Sequence, residues 1–278
     1  MATSVAERIA ERIDAMPAGE RRAAQTLIGS YPLVGLRTVA DFSVQAGVSS
    51  PTILRFVARL GFQNYAEFQA ALQEELAAQL QSPLVRATGG RAPSGEGNPM
   101  LAATVDNLHE TFRHFSARQV EAVVKLLAGP RGRVLLIGGR FTDPIARYMA
   151  AHLAIIRPDV FHLAGQESNW RDRLIDMGKG DVLVIFDIRR YQPSLLELAR
   201  KAAGRGVAIV LFTDQWLSPI ARHARHVVAG RTAVPSAWDS STSLFVAAEV
   251  VIGELTRRLE SQSASRIKQM ESLRGDAD

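Results

Sequence analysis

The 278-residue sequence predicts two units in series, an all-α N-terminal half and an α/β C-terminal half whose parallel sheet is flanked by helices in three layers. Three features predict this. Apolar residues recur at helical intervals through the first 80 positions. A stretch of four glycines and three prolines, QSPLVRATGGRAPSGEGNP (81–99), then breaks the pattern. Beyond it, near-continuous Val/Ile/Leu runs alternate with helical segments, as strands buried on both faces require.

In order, helices are expected over 2–15, 20–30, 36–46, 50–60 and 64–80, then over 99–115 and 117–128. Strands follow in RVLLIG (133–138), DVFHL (159–163), DVLVIFDI (181–188), GVAIVLFT (206–213) and HVVA (226–229). Helices over 142–156, 193–204 and 218–224 connect them, and a long one over 240–262 closes the fold. The division is therefore 1–80, a linker over 81–99, a second domain over 100–262, and a tail over 263–278. The tail is polar but keeps Ile267, Met270 and Leu273 at helical spacing.

Hydrophobic content of 47% and charged content of 22% match a soluble globular chain. The absence of cysteine excludes disulfides, thiolate zinc sites and cysteine nucleophiles, and suits a reducing cytoplasm. No apolar run reaches bilayer length, and the N-terminus lacks a signal-peptide core, so a cytoplasmic protein with no membrane partner is expected. The net charge of +5 is uneven: residues 1–80 carry seven Lys/Arg against eight Asp/Glu, and residues 131–260 carry 18 against 13. A DNA-binding first half would need a locally basic face, while the surplus in the second half suits a small anion.

The segment TVADFSVQAGVSSPTILRFVARLGF (38–62) has the pattern of a helix-turn-helix. Phe42, Ala46, Val48, Ile53 and Phe56 fall where two crossing helices face inward, and Ser43 is small at the crossing. Gly47 suits a left-handed helix end, Ser49 or Ser50 an N-cap, and Pro51 a first helical turn. The outward face offers Ser50, Thr52, Arg55 and Arg59, flanked by Gln45 and Ser49, as hydroxyls for phosphates and side chains for base edges. Together with LGFQNYAEFQAAL (60–72), this segment resembles the N-terminal domain of RpiR-type transcriptional regulators, on Leu60, Gly61, Phe62, Tyr65 and Phe68. The resemblance spans roughly residues 5–80.

In that family the second half is a SIS (sugar isomerase) domain that senses phosphosugars. IGGRFTDPIARYMAAHL, GDVLVIFDI and GVAIVLFTDQWLSPIARHA resemble its strand-loop-helix units over about 105–260. The ligand loops depart from the family pattern. Where the family has Gly-x-Gly-x-Ser, this chain has Gly138-Gly139-Arg140-Phe141-Thr142. Where it has Ser-x-Ser-Gly-x-Thr, this chain has Asp187-Ile188-Arg189-Arg190-Tyr191-Gln192.

Ligands of open α/β sheets bind beyond the carboxyl ends of the strands, and guanidinium groups bind phosphates and carboxylates in pairs. The expected ligand set is Gly138, Gly139, Arg140, Thr142, Asp187, Arg189, Arg190 and Tyr191, with Ser236, Trp238 and Asp239 from PSAWDSST as further lining. Two other uses of the loop stand beside this one: a structural ion pair between Asp187 and an arginine, and a subunit contact.

The resemblance implies a regulator that binds a double-stranded DNA operator, responds to a small anionic effector and forms a homodimer or tetramer. Alternatives are a sugar-phosphate isomerase, and a regulator whose second domain only dimerises. No general base is marked for an isomerase. Dinucleotide binding fails at Arg140, where a second glycine is needed, despite Asp159 at a suitable distance. His223 and His226 lack an accompanying carboxylate cluster. No catalytic residue, cofactor or metal is expected.

Overall fold

The computed structural model describes residues 3–80, 98–129 and 132–275. The expected linker over 81–99 lies outside the described residues except at its last two positions, as do the last three positions of the tail.

The N-terminal half consists of α1 (Val5–Arg12), α2 (Ala18–Gly29), α3 (Val39–Ala46), α4 (Ser50–Arg59) and α5 (Tyr65–Leu80). A capping box opens α1: the Ser4 side chain accepts from the Glu7 amide, and the Glu7 carboxylate accepts from the Ser4 amide. This helix is shorter than expected because a 3-10 turn, Ile13–Ala15, ends it ahead of Pro17. Gly47 closes α3 at φ 61°, a left-handed conformation in which a Cβ would be strained. Phe42, Ala46, Ile53 and Phe56 are buried, and the two phenyl rings meet edge to face at 6.2 Å. Ser50 Oγ donates to Ser43 Oγ at 3.3 Å, so small side chains set the crossing of α3 and α4.

The second half opens with α6 (Pro99–His114) and α7 (Ala117–Leu127). Strands β1 (Val134–Gly138), β2 (Val160–His162), β3 (Val182–Asp187), β4 (Ala208–Asp214) and β5 (His226–Gly230) form one parallel sheet in the order β2-β1-β3-β4-β5. The remaining helices are α8 (Asp143–Ile156), α9 (Glu167–Asp172), α10 (Pro193–Gly204), α11 (Thr242–Arg258) and α12 (Glu260–Arg274).

Side-chain alternation divides the sheet residues between two cores. Leu136, Val184, Phe186, Val210 and Phe212 pack with α7, α8 and α11. Leu135, Ile137, Leu183, Ile185 and Leu211 belong to a core that contains α10 and also Val5, Ile9, Leu27, Phe68 and Leu72 of the N-terminal helices. The helix-turn-helix unit is thus docked on the α/β unit through one continuous apolar core.

Further elements differ from expectation. The connection expected as a helix over 218–224 is a 3-10 turn, Pro219–His223. Helix α9 and the 3-10 turn Arg173–Asp176 were not expected; their polar sequence anchors only Trp170 and Leu174 in the core. The helix expected over 240–262 breaks at Leu259, where ψ is 27°. Beyond the break, α12 carries Arg266 back to the Ala154 and Ile155 carbonyls at the end of α8, at 2.8 and 3.2 Å, satisfying helix-end acceptors. Among the described residues no helix is long and apolar enough to cross a membrane.

Candidate DNA-binding face and ligand cavity

Helix α4 buries Ile53, Phe56 and Val57 and leaves Leu54, Arg55 and Arg59 exposed, with Thr52 half-buried. Gln45 and Ser49 are exposed beside it, and Ser50 is half-buried. The polar side chains on this face are ordered by one another. Ser49 Oγ and Thr52 Oγ1 are 2.9 Å apart, and Arg55 Nη2 donates to Thr52 Oγ1 at 3.1 Å. Arg59 differs: its Nε binds the buried Glu20 carboxylate of α2, so it holds α4 against the bundle. Arg55 is therefore the cation of α4 whose guanidinium meets a hydroxyl rather than a carboxylate and is presented to solvent.

At the carboxyl ends of β1 and β2 lies a cavity of about 290 Å³. Gly138, Gly139 and Arg140 from the first loop line it, with Asp143 and Arg147 from α8 and Gln192 at the start of α10. Gly138 is required here, because a Cβ would stand 2.4 Å from the Asp143 amide nitrogen. Asp143 Oδ1 accepts from the Gly138 amide at 3.1 Å and lies 2.8 Å from His162 Nε2. Arg140 and Arg147 are exposed at the rim.

Thr142 is buried beneath the cavity; its hydroxyl donates to the Phe186 carbonyl at 2.6 Å and accepts from the Gly139 amide at 3.0 Å. It pins the first loop to the end of β3. The rings of Phe141 and Trp238, both exposed, meet at 5.7 Å beside this loop. Ser236 Oγ accepts from the Trp238 amide at 3.2 Å.

The β3 loop turns the other way, into the protein. Asp187 is buried, accepting from the Ser218 hydroxyl at 2.6 Å and the Gln192 amide at 3.2 Å. Burial pushes its carboxyl up to about 7 against the pull of those two donors, and the neighbouring Asp214 adds to the rise. Asp214, at the end of β4, is pushed up to about 6 by burial, although the Tyr191 hydroxyl donates to it at 2.7 Å. Arg190 is exposed with φ 67°, so a non-glycine residue keeps the left-handed backbone at the position where the resembled loop has glycine.

Arg189 is the centre of an interdomain clasp. Its Nε and Nη2 bind both carboxylate oxygens of Asp239, its Nη1 donates to the Ala78 carbonyl of α5 at 2.8 Å, and its guanidinium lies 4.9 Å from the centre of the Trp216 ring. A second clasp joins Arg231, at the end of β5, to Glu7 of α1 through two bonds of 2.7 and 2.6 Å between side chains 5% and 7% exposed.

The structure therefore gathers Gly138, Gly139 and Arg140 at one cavity, and gathers Arg189 and Asp239 at an interdomain contact. Asp187 and Tyr191 lie below that contact, and neither arginine of the loop pairs with Asp187. Sequence reasoning missed Asp143 and Arg147 at the cavity, His162 as the partner of Asp143, and Asp214 and Arg231 in the clasp region. Asp143 and Arg147 carry a signal, since they are four apart on the helix that follows the first loop. Arg231 carries none, because its partner is 224 positions away.

Comparison with known proteins gives two family matches. Residues 3–79 match the helix-turn-helix domain of the rpiR family, and residues 126–252 match the SIS domain. The bifunctional protein glk of Paraburkholderia xenovorans is 26% identical over 223 residues, which is 80% of this chain and 34% of that protein, so the chain spans about a third of that relative's length. An uncharacterized HTH-type transcriptional regulator of Haemophilus influenzae is 22% identical over 229 residues, covering 81% of this chain and 79% of its own. Among solved structures, the Vibrio vulnificus NanR protein complexed with ManNAc-6P is similar in fold over 99% of both chains, with a TM-score of 0.53 at 16% identity.

Proposed function

We propose, for a chain that belongs to the rpiR family of helix-turn-helix and SIS-domain transcriptional regulators, that α4 contacts operator DNA and that the β1–β2 cavity senses a small anionic metabolite. The observation that carries the first half is the outward face of α4, with Arg55 ordered by Thr52 and Ser49 and left open to solvent. A helix in the major groove needs such a face: hydroxyls for phosphates and an arginine for base edges or backbone. A dimer or tetramer would present two such helices to half-sites one or two helical turns apart.

The sensory half rests on Arg140 and Arg147 at a cavity beyond the strand ends. Two guanidinium groups with the backbone of Gly138–Gly139 suit a phosphosugar or a carboxylate. Vibrio vulnificus NanR, complexed with ManNAc-6P, makes a phosphosugar the first class to try. Turnover would need a general base facing the sugar. Asp143 is instead engaged by the Gly138 amide and the His162 ring, which favours recognition over catalysis.

A ligand alters DNA affinity only if it binds one interdomain arrangement better than another. Gln192 links the two ends of that requirement. It lines the cavity, its amide binds Asp187, and it is three residues from Arg189, which clasps α5. The test is a thermal-shift series with sugar phosphates, beginning with ManNAc-6P, and their unphosphorylated sugars. A phosphate-dependent shift that is lost in Arg140→Ala/Arg147→Ala is expected; a shift that survives the double substitution contradicts the assignment.

A further inference from the structure

Helix α4 turns one stripe outward at helical spacing: Pro51, Leu54, Arg55 and Ala58 are all exposed. Leu54 is 47% exposed, although Ile53, Phe56 and Val57 of the same helix are buried. A single exposed leucine is ordinary on a protein surface. Its place on this helix, next to Arg55, is what makes it informative.

The neighbouring side chains decide which groups of α4 remain for base edges. Arg55 leans toward the start of the helix, where its Nη2 donates to Thr52 Oγ1 at 3.1 Å. The Thr52 methyl points the other way, toward α2, and a Cβ on Gly19 would lie 3.1 Å from it. Thr52 therefore presents its hydroxyl and not its methyl. Ser50 Oγ is turned to Ser43, and Arg59 is held by Glu20. Beyond Pro51 in the first turn, Leu54, Arg55 and Ala58 are left.

The major groove is read by a short set of pairings: Arg or Lys with guanine, Asn or Gln with adenine, Asp or Glu with cytosine, and apolar carbon with the thymine methyl. The helix sequence, SPTILRFVAR, contains no Asn, Gln, Asp or Glu. It offers one guanine reader, Arg55, and two apolar groups, Leu54 and Ala58, four apart on the same stripe. With no carboxylate on the helix, the apolar stripe can enter a groove walled by phosphates.

We propose that Leu54, extended by Ala58, reads thymine, packing on the 5-methyl groups of T·A pairs beside the base pair that Arg55 contacts. This rests on the reading of α4 as the DNA-contacting helix and names the bases that helix selects. Leu54 and Ala58 are about 6 Å apart along the axis, close to two base-pair steps of about 3.4 Å, so both engage one half-site. Recognition of A·T pairs by α4 then depends on methyl groups and not on hydrogen bonds to adenine.

The test uses duplexes that the wild-type full chain selects from a random pool, prepared with either thymine or uracil at the half-site thymines. Uracil lacks only the methyl group; its pairing, charge and O4 acceptor are unchanged. In fluorescence anisotropy, wild-type affinity should fall about fourfold for each contacted thymine replaced, the effect of one methyl lost from apolar contact. Leu54→Ala should bind the thymine duplex about tenfold more weakly than wild type, with a reduced preference for thymine over uracil. Leu33→Ala, which removes a leucine 61% exposed at the turn before α3, should behave as wild type. The uracil comparison alters only the DNA, so it decides the matter even where a variant misfolds. Equal wild-type affinity for the two duplexes, or an undiminished thymine preference in a folded Leu54→Ala, overturns the proposal while leaving Arg55 on DNA. A lower oligomeric state of Leu54→Ala in light scattering places Leu54 between copies of the chain and also overturns it. Absence of salt-sensitive binding of the wild type to any duplex is a different failure, that of the α4 reading itself.

Discussion

Replacing Arg189 by methionine keeps the aliphatic stem and removes the guanidinium that joins the β3 loop to α5. Three contacts are lost together: both bonds to Asp239, the 2.8 Å bond to the Ala78 carbonyl, and the stacking 4.9 Å over Trp216. Arg189 and Asp239 side chains are 5% and 16% exposed, so removing one member of the pair leaves a largely desolvated carboxylate, a change that costs about 3–5 kcal/mol. The share that crosses between the units is the charge-assisted bond to Ala78, worth about 2 kcal/mol. That share should raise the undocked population about 30-fold. Hydrogen exchange read at the last turn of α5 and at α1 measures it directly. Faster exchange there is expected, with the central strands β1 and β3 protected, and adding Asp239→Asn should restore part of the global stability lost to the single substitution. Exchange in α5 and α1 that stays at the wild-type rate would refute the clasp.

Asp187→Asn should flatten the pH dependence of stability. The native carboxyl titrates at about 7 and the unfolded one near the ordinary aspartate value, so the native state holds the extra proton in between and stability falls as pH rises through that window. Between pH 5 and pH 8 the wild type should lose about 2–3 kcal/mol more than the variant in urea unfolding; parallel profiles would contradict the burial assigned to Asp187. Gly138→Ala drives a Cβ to within 2.4 Å of the Asp143 amide, so the start of α8 must shift, lowering stability by about 1–3 kcal/mol and abolishing any sugar-phosphate shift while leaving α4 intact. An unperturbed melting temperature in that variant would show that the loop yields more easily than its geometry implies.

Local patterns were readable in the sequence to within a few residues. Val/Ile/Leu-rich runs marked β1, β3 and β4, which the sheet buries, whereas the partly buried edge strands β2 and β5 were read from the shorter segments DVFHL and HVVA. The turn at Gly47 was readable because a left-handed helix end favours glycine. Docking of the helical unit on the sheet was not readable. Ile9, Leu72, Leu183 and Leu211 share a core, yet each looks locally like an ordinary inward residue of its own element. The same limit applied to the charged loop after β3. Its composition signalled guanidinium chemistry, but whether Arg189 faces a ligand or a helix end depends on α5, which lies 111 positions earlier in the chain. Long-range ion pairs leave no trace in spacing, whereas the helical step from Asp143 to Arg147 does.

In the proposed reading α4 contacts DNA through Arg55 while Arg59 serves the bundle. Fluorescence anisotropy, titrating wild type, Arg55→Ala and Arg59→Lys on duplexes from the region upstream of the chain's own coding sequence across a range of salt, tests it most directly. Wild-type affinity that falls with salt, a loss of about tenfold or more in Arg55→Ala with the helical fold intact, and a smaller change in Arg59→Lys are predicted. Equal affinity of Arg55→Ala and wild type on the same duplex would contradict the account.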